Sequence, residues 1–373
     1  MGHATGQTLD YDAIIVGGGI VGLAIARRET MCGRTVAVLE AEPGLCRHAS
    51  SRNSEVVHAG LYYPPGSLKA TACLRGRQAL LEYCATRGIR TRTPGKLVVA
   101  CDAGEHAALQ AVAANAAANG VALAWIDGDD VTRMEPNVVA TAALHSPGTA
   151  IVDSHALASA IEGEIRDAGG DIVLGCRFLG ARRHAGGLVV TAGDTQVTCA
   201  RLYLAAGARA PALAAAIEGL DPAAVPTAAF AKGQYFRLVG GPRFTRLVYP
   251  VPVPGGLGIH VTLDLEGAVR LGPDVRWVDD LDYDVDARDA AAFASAVQRY
   301  APAVRAEDLS PAYAGVRAKI VGPGQPGADF CIRGPDDHGV AGVVALFGIE
   351  SPGLTAAFAL ADEAVLRADA AAS

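Results

Sequence analysis

The run Ala13-Ile14-Ile15-Val16-Gly17-Gly18-Gly19-Ile20-Val21-Gly22 decides the fold. Residues 12–16 are a short β-rich stretch that stops at a glycine cluster. Residues 20–31 then carry small and apolar side chains at helical spacing, and residues 35–39 form a second buried strand ending in Glu40. Strand, turn, helix and strand in this order, with glycines at 17, 19 and 22, make the βαβ unit that holds a dinucleotide. Gly17 permits the tight turn, Gly19 lets the backbone approach a pyrophosphate, and Gly22 lets the helix pack on the strand. The pyrophosphate sits at the positive helix end, where Ile20 and Val21 open the helix. Glu40 stands where an acid accepts hydrogen bonds from the adenosine ribose. A glycine-rich turn alone is common, and a tight turn without a ligand is the bland alternative; here strand, helix, second strand and acid are all in place.

Outward from this unit the chain reaches 373 residues, more than one core usually serves, so two domains are expected. Half of it is apolar (51%) and a fifth charged (19%), an ordinary globular balance. The net charge of −7 argues against a nucleic-acid partner, which calls for a basic patch. No apolar run reaches the roughly 18–20 residues that span a membrane, the longest, at 340–347, being strand-sized. The first ten residues lack the apolar centre of a secretory signal. The expected chain is soluble and cytoplasmic, with a peripheral contact at the inner membrane left open. Its eight cysteines form no CxxC pair and no two histidines stand four apart, which argues against a disulfide framework and a metal site.

Residues 47–69 are polar and aromatic with little periodicity, as functional loops are. Helices are expected over 68–87, over 105–119 with a stop at Gly120, and over 153–168 with Asp153 or Ser154 as N-cap. Strands are expected at 96–101, 171–174, 188–191 and 201–205, and residues 234–271 alternate between Gly/Pro turns as an antiparallel sheet of a second domain. A buried strand at 340–347 and a helix over 353–367 close the chain. The fingerprint alone does not separate FAD from NAD. Two later segments favour FAD: the strand running into Ala205-Ala206-Gly207-Ala208, and Gly348 with Ser351-Pro352-Gly353-Leu354-Thr355, which opens the last helix. A helix start there suits the negative charge of a reduced flavin near N1 and O2.

Residues 50–69 read Ser50-Ser51-Arg52-Asn53-Ser54-Glu55-Val56-Val57-His58-Ala59-Gly60-Leu61-Tyr62-Tyr63-Pro64-Pro65-Gly66-Ser67-Leu68-Lys69. This segment resembles the L-2-hydroxyglutarate dehydrogenase family, within the D-amino-acid-oxidase-like flavoproteins. The likeness continues through Gly95-Lys96-Leu97-Val98-Val99-Ala100, residues 148–153, Tyr249-Pro250-Val251-Pro252, Gly258-Ile259-His260-Val261-Thr262, Leu271-Gly272-Pro273 and Ala314-Gly315-Val316-Arg317-Ala318. Three places depart from it. Glu55 stands where the family usually has Gly, Lys232-Gly233-Gln234-Tyr235 replaces an Arg-Gly-Glu-Tyr type of run, and residues 349–355 differ from its usual C-terminal motif.

The resemblance implies oxidation of a 2-hydroxy acid. That reaction needs an anchor for the carboxylate, a base for the hydroxyl proton, and flavin N5 as hydride acceptor. Histidine is the natural base near neutral pH. His260, on an alternating strand of the presumed substrate domain, and His58, in the loop, are the two candidates. His58 is also a candidate flavin contact or attachment point, because a His-Ala-Gly segment carries covalent flavin in the related dimethylglycine dehydrogenases. Arg317 is expected to grip a carboxylate with its planar guanidinium. Lys232, Lys69, Arg52 and Tyr249 are weaker candidates for a second carboxylate or for flavin oxygens, and Tyr62 and Tyr63 read as packing or as pocket aromatics.

The expected architecture is therefore α/β with an α+β second domain: a Rossmann-like FAD-binding domain over 1–85, 145–225 and 312–373, and an antiparallel-sheet substrate domain over 86–144 and 226–311. The FAD-binding set is Gly17, Gly19, Ile20, Val21, Gly22, Glu40, Ser50, Arg52, Asn53, Ser54, Gly207, Gly348, Gly353, Leu354 and Thr355. The catalytic set is His260, His58, Arg317, Tyr249 and Lys232. The expected partners are a small dicarboxylate or 2-hydroxy-acid substrate and an electron acceptor, a quinone or another carrier. An amino-acid or amine oxidase of the same fold using oxygen, and a non-catalytic flavin-binding protein, are the competing readings.

Overall fold

A computed structural model describes residues 9–252 and 258–370. The leader reading of the first residues, and positions 253–257 of the stretch read as sheet, lie outside the described residues. By contacts the chain forms two units, Met1–Ser51 with Ser154–Ala229 and Ala318–Ser373, and Arg52–Asp153 with Phe230–Arg317. The nucleotide-binding expectation ran through residue 85 and resumed at 145; the contact boundaries fall instead after Ser51 and before Ser154.

In the first unit, Tyr11–Val16 is the centre of an eight-stranded sheet among the described residues. It pairs in parallel with Thr195–Leu204 and Val36–Leu39, and Asp171–Val173 extends the parallel edge. Val343–Phe347 joins Thr195–Leu204 in parallel, so the end of the chain returns to the first sheet. Val36–Leu39, Val343–Phe347 and the stretches 13–16 and 202–204 are apolar and buried, because parallel strands covered on both faces leave no solvent side. The helix Ile20–Met31 packs against Ser154–Asp167 and Gly353–Ala370. Its Glu29 is fully buried and accepts from Tyr203 Oη and from Arg34 Nη1 at 2.5 Å. That pairing explains how a carboxylate is tolerated on a core-facing helix.

The second unit holds a sheet of nine strands among the described residues, whose order places Leu247–Pro250 beside Lys96–Ala100, with Ala142–Ser146 on the other side. The expectation of an antiparallel sheet holds for most of its pairs, and Leu247–Pro250 against Lys96–Ala100 is parallel. The helix Leu68–Arg87 starts at an N-cap, Ser67 Oγ accepting from Ala70 N at 3.1 Å, and ends at Gly88 in the left-handed conformation. His260 was expected on a strand. It lies just ahead of one, Val261–Leu263, and its carbonyl accepts from Gly272 N at 3.0 Å.

The loop before Val56–Val57 gives a physical reason for the first departure from the family pattern. Glu55 has φ 57°, a left-handed backbone that glycine adopts freely and other residues adopt at a cost. Its amide donates to Asn53 Oδ1 at 2.7 Å, and its carboxylate faces Arg270 at 3.4 Å. Removing the carboxylate alone and removing it together with the Cβ therefore differ. Glu55→Gly should be more stable than Glu55→Ala by about 1 kcal/mol, read as a higher unfolding midpoint in parallel melts. An alanine variant equal to or above the glycine variant would show that the backbone at 55 is not strained.

Candidate active site

The turn at 17–22 is built by three different constraints. Gly17 has φ 109°, and a Cβ there would lie 2.6 Å from the Ala205 carbonyl oxygen. A Cβ on Gly22 would lie 2.0 Å from the Gly17 carbonyl oxygen. Both glycines are demanded by the protein's own backbone. Gly19 is not: its φ is −77°, and a Cβ there would meet only Ser50 Oγ at 3.1 Å. Its glycine suits a ligand that must come close, which is the fit expected for a pyrophosphate at this helix start. Ser50 Oγ accepts from Ile20 N at 3.0 Å. Glu40, at the end of Val36–Leu39, accepts from Gly18 N at 2.7 Å and Glu42 N at 2.8 Å, which fixes its carboxylate at the strand end and leaves acceptor capacity for a ribose.

The remaining cofactor candidates fall in both units. Gly207 (φ 54°) follows the strand Thr195–Leu204 in the first unit, and Gly348 (φ 67°) follows Val343–Phe347. Gly353, Leu354 and Thr355 form the first turn of the helix Gly353–Ala370, whose leading amides have no partner within the helix. Lys319 Nζ donates to Glu350 Oε1 at 2.8 Å just ahead of it. Arg52, Asn53 and Ser54 belong to the second unit and are engaged within it. Arg52 lies over the Tyr283 ring at 4.3 Å, the Asn53 carbonyl accepts from Tyr313 Oη at 2.6 Å, and Ser54 Oγ is 2.9 Å from Tyr235 Oη.

His260, Tyr249, Lys96, Tyr62 and His58 gather in the second unit. The His260 and Tyr249 rings stack 3.5 Å apart between centres and 6° from parallel, both buried. Tyr300 Oη donates to the Ile259 carbonyl at 2.8 Å, which holds the residue before His260. Lys96 Nζ lies 4.6 Å from the centre of the Tyr249 ring and 4.8 Å from that of Tyr62. Burial pushes the Lys96 amine down to about 7. Burial, with the nearby Lys96 charge, pushes the His58 imidazole down to about 3. His58 is thus held neutral at working pH and is a weak proton acceptor.

Arg317 and Lys232, named from the sequence as carboxylate candidates, already have partners. Arg317 donates from Nη2 to the Asp274 carbonyl at 3.0 Å and from Nη1 to the Ala231 and Lys232 carbonyls at 3.4 Å, which leaves its Nε edge. Lys232 Nζ donates to Asp282 Oδ2 at 2.5 Å. Sequence reasoning missed Lys96, although it quoted the motif that contains it. A lysine at the head of an apolar strand reads as a solvent-facing end, whereas the strand is central and Lys96 is 1% exposed. It missed as well the network in which Arg270 Nη1 donates to Tyr313 Oη at 3.0 Å and faces Glu55.

A buried lysine has a measurable signature. Its value of about 7 in the folded chain lies below the ordinary 10.5, so between the two the unfolded chain binds more protons and stability rises with pH. The penalty is complete below about 7 and vanishes above about 10.5. Lys96→Met should therefore melt above the wild type at about pH 6. The gain should shrink by about 1.4 kcal/mol per pH unit across that window. A difference in melting that does not change with pH would show that Lys96 titrates normally.

The chain matches the model of the FAD dependent oxidoreductase family over residues 12–366. It is 38% identical to the mitochondrial L-2-hydroxyglutarate dehydrogenase of Arabidopsis thaliana, over 94% of this chain and 82% of that one. It is 30% identical to the L-2-hydroxyglutarate dehydrogenase of Escherichia coli K12, over 84% and 83%. Among solved structures it resembles FAD-bound L-alpha-glycerophosphate oxidase from Mycoplasma pneumoniae, with a TM-score of 0.86, 23% identity and coverage of 96% and 94%. It resembles glycine oxidase from Geobacillus kaustophilus too, with a TM-score of 0.81, 19% identity and coverage of 97% and 95%. At such identities the solved structures speak for the fold alone, and the fold agrees with the Rossmann-like expectation. With its family model spanning nearly the whole length, and such relatives on both sides of the plant–bacterial divide, the chain belongs to the L-2-hydroxyglutarate dehydrogenase family of FAD-dependent oxidoreductases.

Proposed function

We propose that this chain oxidises L-2-hydroxyglutarate, or a close 2-hydroxy acid, to the 2-oxo acid. The observation that carries this reading is the 38% identity to an L-2-hydroxyglutarate dehydrogenase over 94% of the chain. FAD, when bound, supplies the acceptor for the hydride that leaves C2. Gly17, Gly19, Ile20, Val21, Gly22, Glu40 and Ser50 hold its pyrophosphate and ribose, and Gly207, Gly348, Gly353, Leu354 and Thr355 complete the cradle. Arg52, Asn53 and Ser54 of the loop are the further candidates that the sequence offers for this cofactor. His260 takes the proton of the C2 hydroxyl, and the Tyr249 ring stacked on it fixes the plane of the imidazole. Arg317 grips the carboxylate next to C2 with the donors its carbonyl partners leave, and Lys232, paired with Asp282, is the weaker candidate for a second carboxylate. His58, held neutral, serves as a hydrogen-bonding group rather than as the base.

The electrons pass on to an acceptor, a quinone or another carrier. Among the described residues no helix is long and apolar enough to cross a membrane, so contact with a membrane-borne acceptor would be peripheral. We place the chain in the cytoplasm on the sequence reading.

Two measurements test this function. L-2-hydroxyglutarate mixed without oxygen with the FAD-loaded protein should bleach the visible flavin band and yield 2-oxoglutarate in step with it. Bleaching by a 2-amino acid and not by the hydroxy acid would make the chain an amino-acid oxidase, and bleaching by neither would leave a flavin-binding protein. His260→Asn should slow flavin reduction by about 10²–10⁴-fold, leave FAD content unchanged, and remove the acidic limb of the kcat/KM profile, because a protonated imidazole cannot accept the hydroxyl proton. A variant that reduces flavin at the wild-type rate and keeps that limb would take the role of base away from His260.

A further inference from the structure

We infer that Lys96 binds the carboxylate of the substrate that is remote from the reacting carbon, and so makes the chain select a dicarboxylate over a monocarboxylate of the same length. This deepens the function proposed above and rests on it. Lys96 heads the strand Lys96–Ala100, opposite Leu247 on one side and Ser146 on the other, and it is 1% exposed. Among the described residues its Nζ makes no hydrogen bond and no ion pair. Around it are the faces of Tyr62 and Tyr249, at 4.8 and 4.6 Å, the His58 imidazole, held neutral, and the Cys73 thiol, which burial pushes up to about 12 and keeps neutral.

An ammonium in such a setting has three N–H donors and no anion. Two ring faces steady the charge without spending a single donor. Burial of a cation without its counter-charge is costly, and a methionine or leucine would pack the same space better. A residue kept there against that cost is best explained by an anion that arrives later, and its lowered proton affinity agrees with a site that waits for one. The anion's chemistry follows from the neighbours. Tyr249 has Lys96 over its ring at 4.6 Å and the His260 imidazole stacked 3.5 Å from it. The proposed base and the ammonium are therefore both held against one aromatic ring. A 2-hydroxy acid with its hydroxyl at His260 would present its far end to Lys96, and only a far end that is itself a carboxylate satisfies the three donors.

The test compares FAD-loaded wild type and Lys96→Met on two substrates of equal chain length: L-2-hydroxyglutarate, and L-2-hydroxyvalerate, which carries a methyl group in place of the remote carboxylate. Binding of glutarate, which has both carboxylates and no hydroxyl to oxidise, is measured by calorimetry on the same two proteins. Lys96→Met should raise KM for L-2-hydroxyglutarate and weaken glutarate binding by about 10–100-fold, with kcat changed less than about threefold. Its kcat/KM for L-2-hydroxyvalerate should be unchanged or higher. Equal losses on both substrates, or an unchanged affinity for glutarate, would overturn the assignment. Should the methionine variant lose its FAD, Lys96→Gln serves in its place with the same expected split. A wild type that turns over neither hydroxy acid strikes at the proposed reaction, and glutarate calorimetry then judges Lys96 alone: wild-type binding that the variant loses supports it, and no binding or equal binding overturns it.

Discussion

Gly22 has no Cβ, and only for that reason can the helix Ile20–Met31 start as close as it does to the Gly17 carbonyl, where a Cβ would come within 2.0 Å. The strand Tyr11–Val16, the helix and the strand Val36–Leu39 are thereby locked into one tight turn. Gly17 N donates to the Leu39 carbonyl at 2.8 Å and Ala205 N to the Val16 carbonyl at 2.9 Å, so the ends of three adjacent strands meet at this turn. The helix start is held facing outward over them, with Ser50 capping one amide. Because Val343–Phe347 adds to the same sheet, the last helix is carried back to pack against the first. Two helix starts, at Ile20 and at Gly353, thus belong to one rigid layer.

The second unit solves a different problem, that of keeping polar groups inside. Arg317 is braced by backbone carbonyls, Lys232 by Asp282, and Glu135 by the Thr245 amide at 3.0 Å. Buried polar groups are ordinarily satisfied in this manner. The aromatic cluster around Lys96 departs from the pattern, since its rings offer a cation their faces and no lone pair. The contrast between these two kinds of environment, within one sheet, is what separates scaffolding charges from those free to meet a ligand.

The local features are legible in the sequence where one residue type decides the outcome. The helix Leu68–Arg87 is readable end to end because Ser67 caps it and Gly88 stops it. The helix Ile20–Met31 is readable because glycines precede it, and the strand Lys96–Ala100 because it is short, apolar and bounded. The parallel pairing of that strand with Leu247–Pro250 is not legible, since nothing in either segment encodes a partner some 150 residues away. The site shows the same division. The fingerprint glycines and Glu40 are visible as types at fixed spacing. The stacking of His260 on Tyr249, the carbonyls around Arg317 and the burial of Lys96 depend on strand neighbours, which only the folded sheet supplies.

Glu55 has an effect beyond the turn it occupies. Its carboxylate and that of Asp264 stand 3.4 and 3.6 Å from the Arg270 guanidinium. A chain with glycine at this position would leave Arg270 facing one acid instead of two, and the local field would be more positive by one unit of charge. Attraction of a dianion through solvent grows with that field and fades with added salt. Glutamate here gives a corner of net charge −1 where glycine would give a neutral one, so encounter with a diacid should gain more from added salt than in a glycine-bearing relative.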